Sequence, residues 1–303
     1  MINSSSDIPV LVLFFNRKDT VLRLISELSF IQPRAIFLSS DGGRTDQEHL
    51  KVAEIRELVI KAINWECRVV TRFGAENLGC KQAVHAGVQW FFENVPEGIV
   101  LEDDCIPSTE FFHFALEMLN EHRNDLAISS IGARNEFEKF ALGQTVLSSK
   151  FFCWGWASWG NRIVGLDVEC GYAYDLPKSV YSQLGFFESR HVKGMRNLMK
   201  LNLVDSWAYA YDFNFRKSEQ RQLLPPFNYV ENIAINGGTH STSRIKSDEL
   251  KRSKARSLKV NSESASQEPS QFIETYLLRK YGFVKLILFP WIGVFKTFLK
   301  RFK

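Results

Sequence analysis

The sequence predicts an α/β fold, a mostly parallel mixed sheet flanked by helices. Three observations carry that expectation. Short β-rich apolar runs alternate with helix-period segments through the first 120 residues, the pattern of strands joined by crossover helices. The runs are continuously apolar, as in strands buried on both faces. With 303 residues, 45% of them hydrophobic and 13% aromatic, the chain is long enough to bury a sizeable core and is not predominantly disordered.

Taken in order, Val10–Phe15 is the first such strand. Asp19 is expected to cap a helix that aligns Val21, Leu24, Ile25 and Leu28. Ala35–Ser39 is a second strand, closed by the loop Ser40-Asp41-Gly42-Gly43-Arg44, and the next helix aligns Ile55, Leu58, Val59 and Ala62. Cys67–Thr71 is a third strand. The segment after Gly79 returns to helical period at Val84, Val88, Phe91 and Phe92. Ile99–Leu101 is a fourth strand that runs into Glu102-Asp103-Asp104, after which Ser108 starts a helix carrying Phe111, Phe112, Ala115, Leu116 and Leu119. The second half is less regular and richer in aromatics, with Trp154-Gly155-Trp156, Trp159 and Asp205-Ser206-Trp207-Ala208-Tyr209 as landmarks. No internal repeat is present.

Charge divides the chain unevenly. From Ser241 onward there are fourteen Lys and Arg against five Asp and Glu; before it, twenty-four against twenty-nine. A mildly acidic body with a basic tail does not read as a uniform nucleic-acid binder, but as a domain with an appendage for an anionic surface. The five cysteines are odd in number and form no CxxC pair, which favours free thiols over a disulfide framework or a zinc site. The longest uncharged apolar run, Leu286 to Phe295, has ten residues and includes Pro290, too short to span a bilayer. The first fifteen residues lack a signal-peptide pattern, so the expected location is cytoplasmic.

The sharpest chemical feature is Glu102-Asp103-Asp104. Adjacent carboxylates repel, and the carboxyl end of a buried strand is where open α/β sheets bind ligands. A hard divalent cation shared with a diphosphate relieves that repulsion. Taken alone, the triplet also reads as a solvated acidic turn ahead of a helix capped by Ser108.

Pro9-Val10-Leu11-Val12-Leu13 with Asn16-Arg17, then Ser40-Asp41-Gly42, then the helix after Gly79 leading to Val100-Leu101-Glu102-Asp103-Asp104, resembles the GT-A glycosyltransferases. Within them it is similar to the N-acetylglucosaminyltransferase I-like group, with that group's Glu-Asp-Asp form of the acidic metal-binding motif. The likeness covers roughly residues 8–120, is looser from 150 to 240 and does not reach the tail. It implies that Asp104 binds Mn2+ or Mg2+ directly and that Asp103 faces the ribose or the hydrated metal, with Glu102 alongside. It implies too that Asn16, Arg17 and Asp41 hold the nucleotide, as suits a carboxylate facing a base N–H and a guanidinium facing phosphate. Lys81 is a further candidate for the diphosphate, Trp156 for a sugar-packing face, and His240, after Gly237-Gly238, for the metal. Plainer readings stand beside each: a turn residue at Asp41, surface cations at Arg17 and Lys81, a core ring at Trp156, an ordinary loop histidine at His240.

Inverting transfer needs a base for the acceptor hydroxyl. Asp205 matches in position the acid ahead of the acceptor-side helix, and Trp207 and Tyr209 are expected to desolvate it. The sequence lacks the Trp-Asp-Asp pattern of the namesake enzymes, and Asp212 is the alternative base. The expected organisation is a catalytic domain over 1–245, split into a nucleotide half to 120 and an acceptor half beyond it. A polar linker over 246–271 and a basic amphipathic tail over 272–303 complete it, the tail resting on an anionic membrane or packed on protein. The expectation is therefore a metal-dependent inverting glycosyltransferase, using a UDP-sugar on a glycan or lipid-linked acceptor in surface polysaccharide assembly at the inner membrane face. Its rivals are a sugar-1-phosphate nucleotidyltransferase, against which Phe14-Phe15-Asn16-Arg17-Lys18 offers no phosphate-loop glycine, and a silent glycan-binding scaffold. Nucleic acid is not an expected partner.

Overall fold

A computed structural model of the protein describes residues 3–138, 143–169, 175–234, 266–267 and 270–300, the last nine of these and 266–271 by backbone alone. Strands β1 (Val10–Phe14), β2 (Ala35–Ser40), β3 (Arg68–Phe73) and β4 (Glu97–Glu102) alternate with helices α1 (Lys18–Leu28), α2 (Asp46–Ala62) and α3 (Gly79–Asn94). A short β5 (Cys105–Pro107) and helix α4 (Thr109–Glu121) follow, then β6 (Ile128–Gly132), β7 (Val146–Ser148) and β8 (Trp156–Trp159). Helices α5 (Gly160–Ile163), α6 (Lys178–Gln183), α7 (Phe186–Lys200) and α8 (Trp207–Lys217) lead to β9 (Arg221–Leu224) and β10 (Val230–Asn232). Beyond them lie β11 (Ser266–Gln267), α9 (Ser270–Tyr281) and α10 (Phe283–Lys300).

The main sheet has the order β11-β7-β9-β6-β8-β4-β1-β2-β3, with β1 parallel to both β2 and β4 and β2 parallel to β3. Strand β8 enters antiparallel between β4 and β6, so the sheet is mixed, as expected. The continuous apolar run of β1 is explained by its two covered faces. Val10, Val12 and Phe14 pack with Val21, Leu24 and Ile25 of α1 and Ile55 and Val59 of α2, whereas Leu11 and Leu13 pack with Val84, Val88 and Phe91 of α3. Each such side chain, fully buried, contributes roughly 1.5–3 kcal/mol. Helix α3 approaches the sheet at Gly87, where a Cβ would lie 2.9 Å from Leu13 and 2.6 Å from the Ser39 hydroxyl.

The α1 start departs from expectation: Arg17 occupies the N-cap position without a side-chain cap, and Asp19 lies in the first turn, where its charge favours the helix dipole. Thr45 caps α2 by accepting the Glu48 N–H. The stretch 246–271, expected as a linker, contributes β11, parallel to β7 at the sheet edge. The tail is not a free appendage. Its helices α9 and α10 lie on α7, with Ile273, Leu277, Leu286 and Phe289 buried.

Candidate functional site

The order β3-β2-β1-β4 puts a topological switch point between β1 and β4, where the connections leave in opposite directions and open a crevice at the carboxyl ends of the strands. Leu13 is in register with Glu102, and the Asp103 N–H donates to the Leu13 carbonyl at 2.9 Å. The loop after β1 and the acidic triplet after β4 therefore meet. Arg17 forks across both aspartates: its Nε donates to Asp103 Oδ2 at 3.1 Å, one terminal nitrogen bonds Asp103 Oδ1, and the other reaches Asp104 Oδ2 at 3.0 Å. The Thr20 hydroxyl donates to Asp103 Oδ2 at 3.3 Å. Asp103 is buried, and Asp104 keeps 14% of its side chain open.

Burial governs the electrostatics here. It works against the charge of Arg17, but Asp103 and Asp104 outweigh it and hold the guanidinium above the usual arginine range. Burial pushes Asp103 up to about 6 against the pull of Arg17. Burial, followed by the like charges of Asp104 and Asp103, pushes Glu102 up to about 8. Three carboxylates share one guanidinium, so the cluster is short of positive charge.

Asp41 stands at the end of β2, but its carboxylate is committed to the protein. Oδ1 accepts the N–H of Leu78 at 2.9 Å and of Gly42 at 3.0 Å; Oδ2 accepts the N–H of Gly79 and the amide of Asn77, each at 3.0 Å. It satisfies the orphan donors at the start of α3 and opposes the positive end of the helix dipole. Asn16 donates to Glu48 at 2.7 Å, and Glu48 also receives the Arg44 fork, so the loops after β1 and β2 are tied together. Arg56 of α2, which sequence reasoning did not single out, clamps the ends of β2 and β3 by donating to the carbonyls of Ser40, Asp41 and Gly74. Nothing in its helical spacing distinguishes it from a surface cation.

A second group of residues gathers at the start of α3. Lys81, on the first turn of α3, donates to Glu169 and Asp205, each at 3.1 Å. Burial works against its charge, but the hydrogen bonds to Asp205 and Glu169 prevail and raise its pKa. Lys81, Glu169, Met199, Lys200, Asn202 and Asp205 border a cavity of about 540 Å3. Cys80 precedes Lys81, and its thiol is pushed up to about 11 by burial first and then by the charges of Glu102, Asp205 and Asp104, against the pull of Arg17.

Two expectations are corrected. Asp205 is not desolvated by the neighbouring rings: its side chain is 73% exposed, while Trp207 turns into the core. Trp156 is not a surface platform. Its place on β8, paired between β4 and β6, buries it completely against Phe92, Phe151 and Tyr211. Of the neighbouring tryptophans, Trp154 keeps a partly open ring, with Arg134 4.8 Å from its centroid, and follows Cys153, which feels the charges of Glu102 and Asp104. Asp212, the alternative base, is buried with Oδ2 paired to Arg216 at 2.9 Å and Oδ1 on the Phe151 N–H at 2.7 Å. His240 lies outside the described residues. Among those described, no three His, Cys, Asp or Glu side chains are arranged to hold a metal ion by themselves.

No family model matches the chain, and no curated protein matches it. Among solved structures it is similar to HddC from Yersinia pseudotuberculosis, at 13% identity and a TM-score of 0.33 over 52% of this chain and 78% of that one. It is similar also to that protein complexed with GMP-PN, at 14% identity and a TM-score of 0.34 over 52% and 79%. Scores at this level say nothing about the site.

Proposed function

We propose that the protein is a metal-dependent, inverting glycosyltransferase that moves a sugar from a nucleotide-sugar, a UDP-sugar first among them, to a glycan or lipid-linked acceptor. The observation that carries this reading is the acidic triplet at the switch-point crevice, gripped by Arg17 from the loop after β1. The triplet suits Mg2+ or Mn2+. It is an all-oxygen donor set with a surplus of negative charge, and such ions take one or two carboxylates and complete their shell with substrate phosphates. Asp104 and Glu102 would hold the ion, which when bound supplies Lewis-acid stabilisation of the departing diphosphate.

The protein's own residues supply the remaining roles. Arg17, already bidentate on Asp103, presents a guanidinium fork of the kind that also fits phosphate oxygens. Asp205 accepts the proton of the acceptor hydroxyl as that oxygen bonds to the anomeric carbon and the carbon–diphosphate bond breaks on the opposite face. Lys81 orients the Asp205 carboxylate and adds positive charge at the rim of the cavity. Trp154 replaces Trp156 as the ring on which the sugar packs.

The reading is tested by release of UDP from a panel of UDP-sugars with Mn2+, water standing in for the acceptor. The expected result is turnover with at least one donor, lowered about a hundredfold or more in Asp205→Asn and in Asp104→Ala. Absence of UDP release from every donor, or full rates in both variants, would overturn it.

A further inference from the structure

The tail helix α10 is docked by one face and bare on the other. Leu286 and Phe289 are buried, and Phe289 sits where Gly194 of α7 leaves no side chain in its way. Pro290 has no N–H for the Leu286 carbonyl, so the helix lacks one hydrogen bond at that turn. Polar groups of α7 bind the neighbouring carbonyls: Arg190 Nε donates to the Ile287 carbonyl at 3.1 Å and the Asn197 amide to the Pro290 carbonyl at 2.9 Å. The inner face is therefore fastened to the body and is not free to turn over.

The outer face carries Val284, Leu288 and Trp291, at helical spacing and 68%, 47% and 57% exposed. Phe283 and, from the start of α7, Phe186 extend this apolar surface. Its rim is cationic. Arg190 packs over the Phe186 ring, and Lys285 is exposed. Glu274 is spent on the N–H groups of Phe187 and Glu188 at the start of α7.

We infer that this face lies in the interface of an anionic lipid bilayer. An apolar stripe edged by Trp and lysine suits the boundary between acyl chains and acidic headgroups. No described helix is long and apolar enough to cross a membrane, which leaves the surface-parallel arrangement. A second copy of the chain fits worse, because a two-fold interface sets the same cationic rim against itself. The pairs Arg190–Ile287, Gly194–Phe289 and Asn197–Pro290 advance together along both helices, so the stripe runs toward the end of α7, where Met199, Lys200 and Asn202 border the cavity. Membrane binding stands on these observations alone. Its use, to bring the cavity to a lipid-linked acceptor, rests on the glycosyltransferase reading.

The test is co-sedimentation of the full chain with vesicles of phosphatidylethanolamine and phosphatidylglycerol, and with vesicles of phosphatidylcholine alone. Wild type is expected to sediment with the anionic vesicles and to bind at least about tenfold more weakly to the neutral ones. Leu288→Glu with Trp291→Glu, both exposed, is expected to keep the unfolding midpoint and lose at least about tenfold in anionic-vesicle binding. Asp104→Ala is expected to bind like wild type, which separates this result from failure of the donor-site reading. Wild type left in the supernatant, or equal binding by the double variant, would overturn the proposal. So would a wild-type dimer that the double variant converts to monomer without any vesicle binding; that outcome assigns the face to a second copy.

Discussion

Two aspartates seven residues apart show how far residue type falls short of role. Asp205 is solvent-facing and paired with Lys81; Asp212 is buried between Arg216 and a backbone N–H. Truncating Asp212 leaves Arg216 with Glu188 as its one counter-ion among the described residues, so Asp212→Ala is expected to lower stability by about 3–5 kcal/mol in denaturant titration. Asp205→Asn is expected to leave that stability within about 0.5 kcal/mol while lowering donor turnover about a hundredfold or more. Similar stability losses in the two would contradict this division of roles. The sequence pointed to the triplet, to Arg17 and to Asp205, since each stands at a strand or helix end that the hydrophobic pattern marks. It did not reveal that Asp41 would be consumed by three donors at the start of α3 besides the N–H of Gly42, or that Trp156 would be buried. Both outcomes turn on distant partners, Asn77, Leu78 and Gly79 for Asp41 and Phe92 and Tyr211 for Trp156.

At the scale of elements, the first four strands and the helices between them were legible, because strands covered on both faces leave unbroken apolar runs. Their ends moved by a residue or two: β3 starts at Arg68 and runs to Phe73, and β4 extends back to Glu97. The second half was opaque for a physical reason. Strand β8 pairs with β4 about 60 residues earlier, and β9 pairs with β6 about 90 residues earlier, so neither carries a local period. Docking of the tail was likewise hidden, since it needs the bare backbone of Gly194 opposite Phe289. Gly194→Val is expected to displace that ring and lower stability by about 1–3 kcal/mol, read from the urea midpoint. An unchanged midpoint would mean that α10 contributes nothing to the fold.

Considered as a whole, the molecule sets a mildly acidic body against a basic tail and joins them through the packing around His191. That imidazole lies against Tyr209, Tyr281 and Phe289; burial first, then the charges of Lys150, Arg216 and Lys280, hold its pKa well below the ordinary histidine range. The unfolded chain takes up a proton near pH 6.5 that the folded one refuses. The contribution is complete above that pH and is lost as the pH falls, at up to about 1.4 kcal/mol per unit. His191→Phe is expected to flatten the decline in unfolding free energy between pH 7 and 5, and an equal decline in both proteins would contradict it. The central claim, a nucleotide-sugar site at Glu102-Asp103-Asp104, is tested most directly by thermal unfolding with UDP, GDP or CMP, each with and without Mn2+. Ligand at a hundred times its dissociation constant adds about 2.7 kcal/mol, a rise of about 5 °C for a chain of this size. The account predicts such a rise with UDP and Mn2+ together and its loss in Asp104→Ala. A cooperative transition that no nucleotide moves, or one that Asp104→Ala still shifts in full, would contradict it.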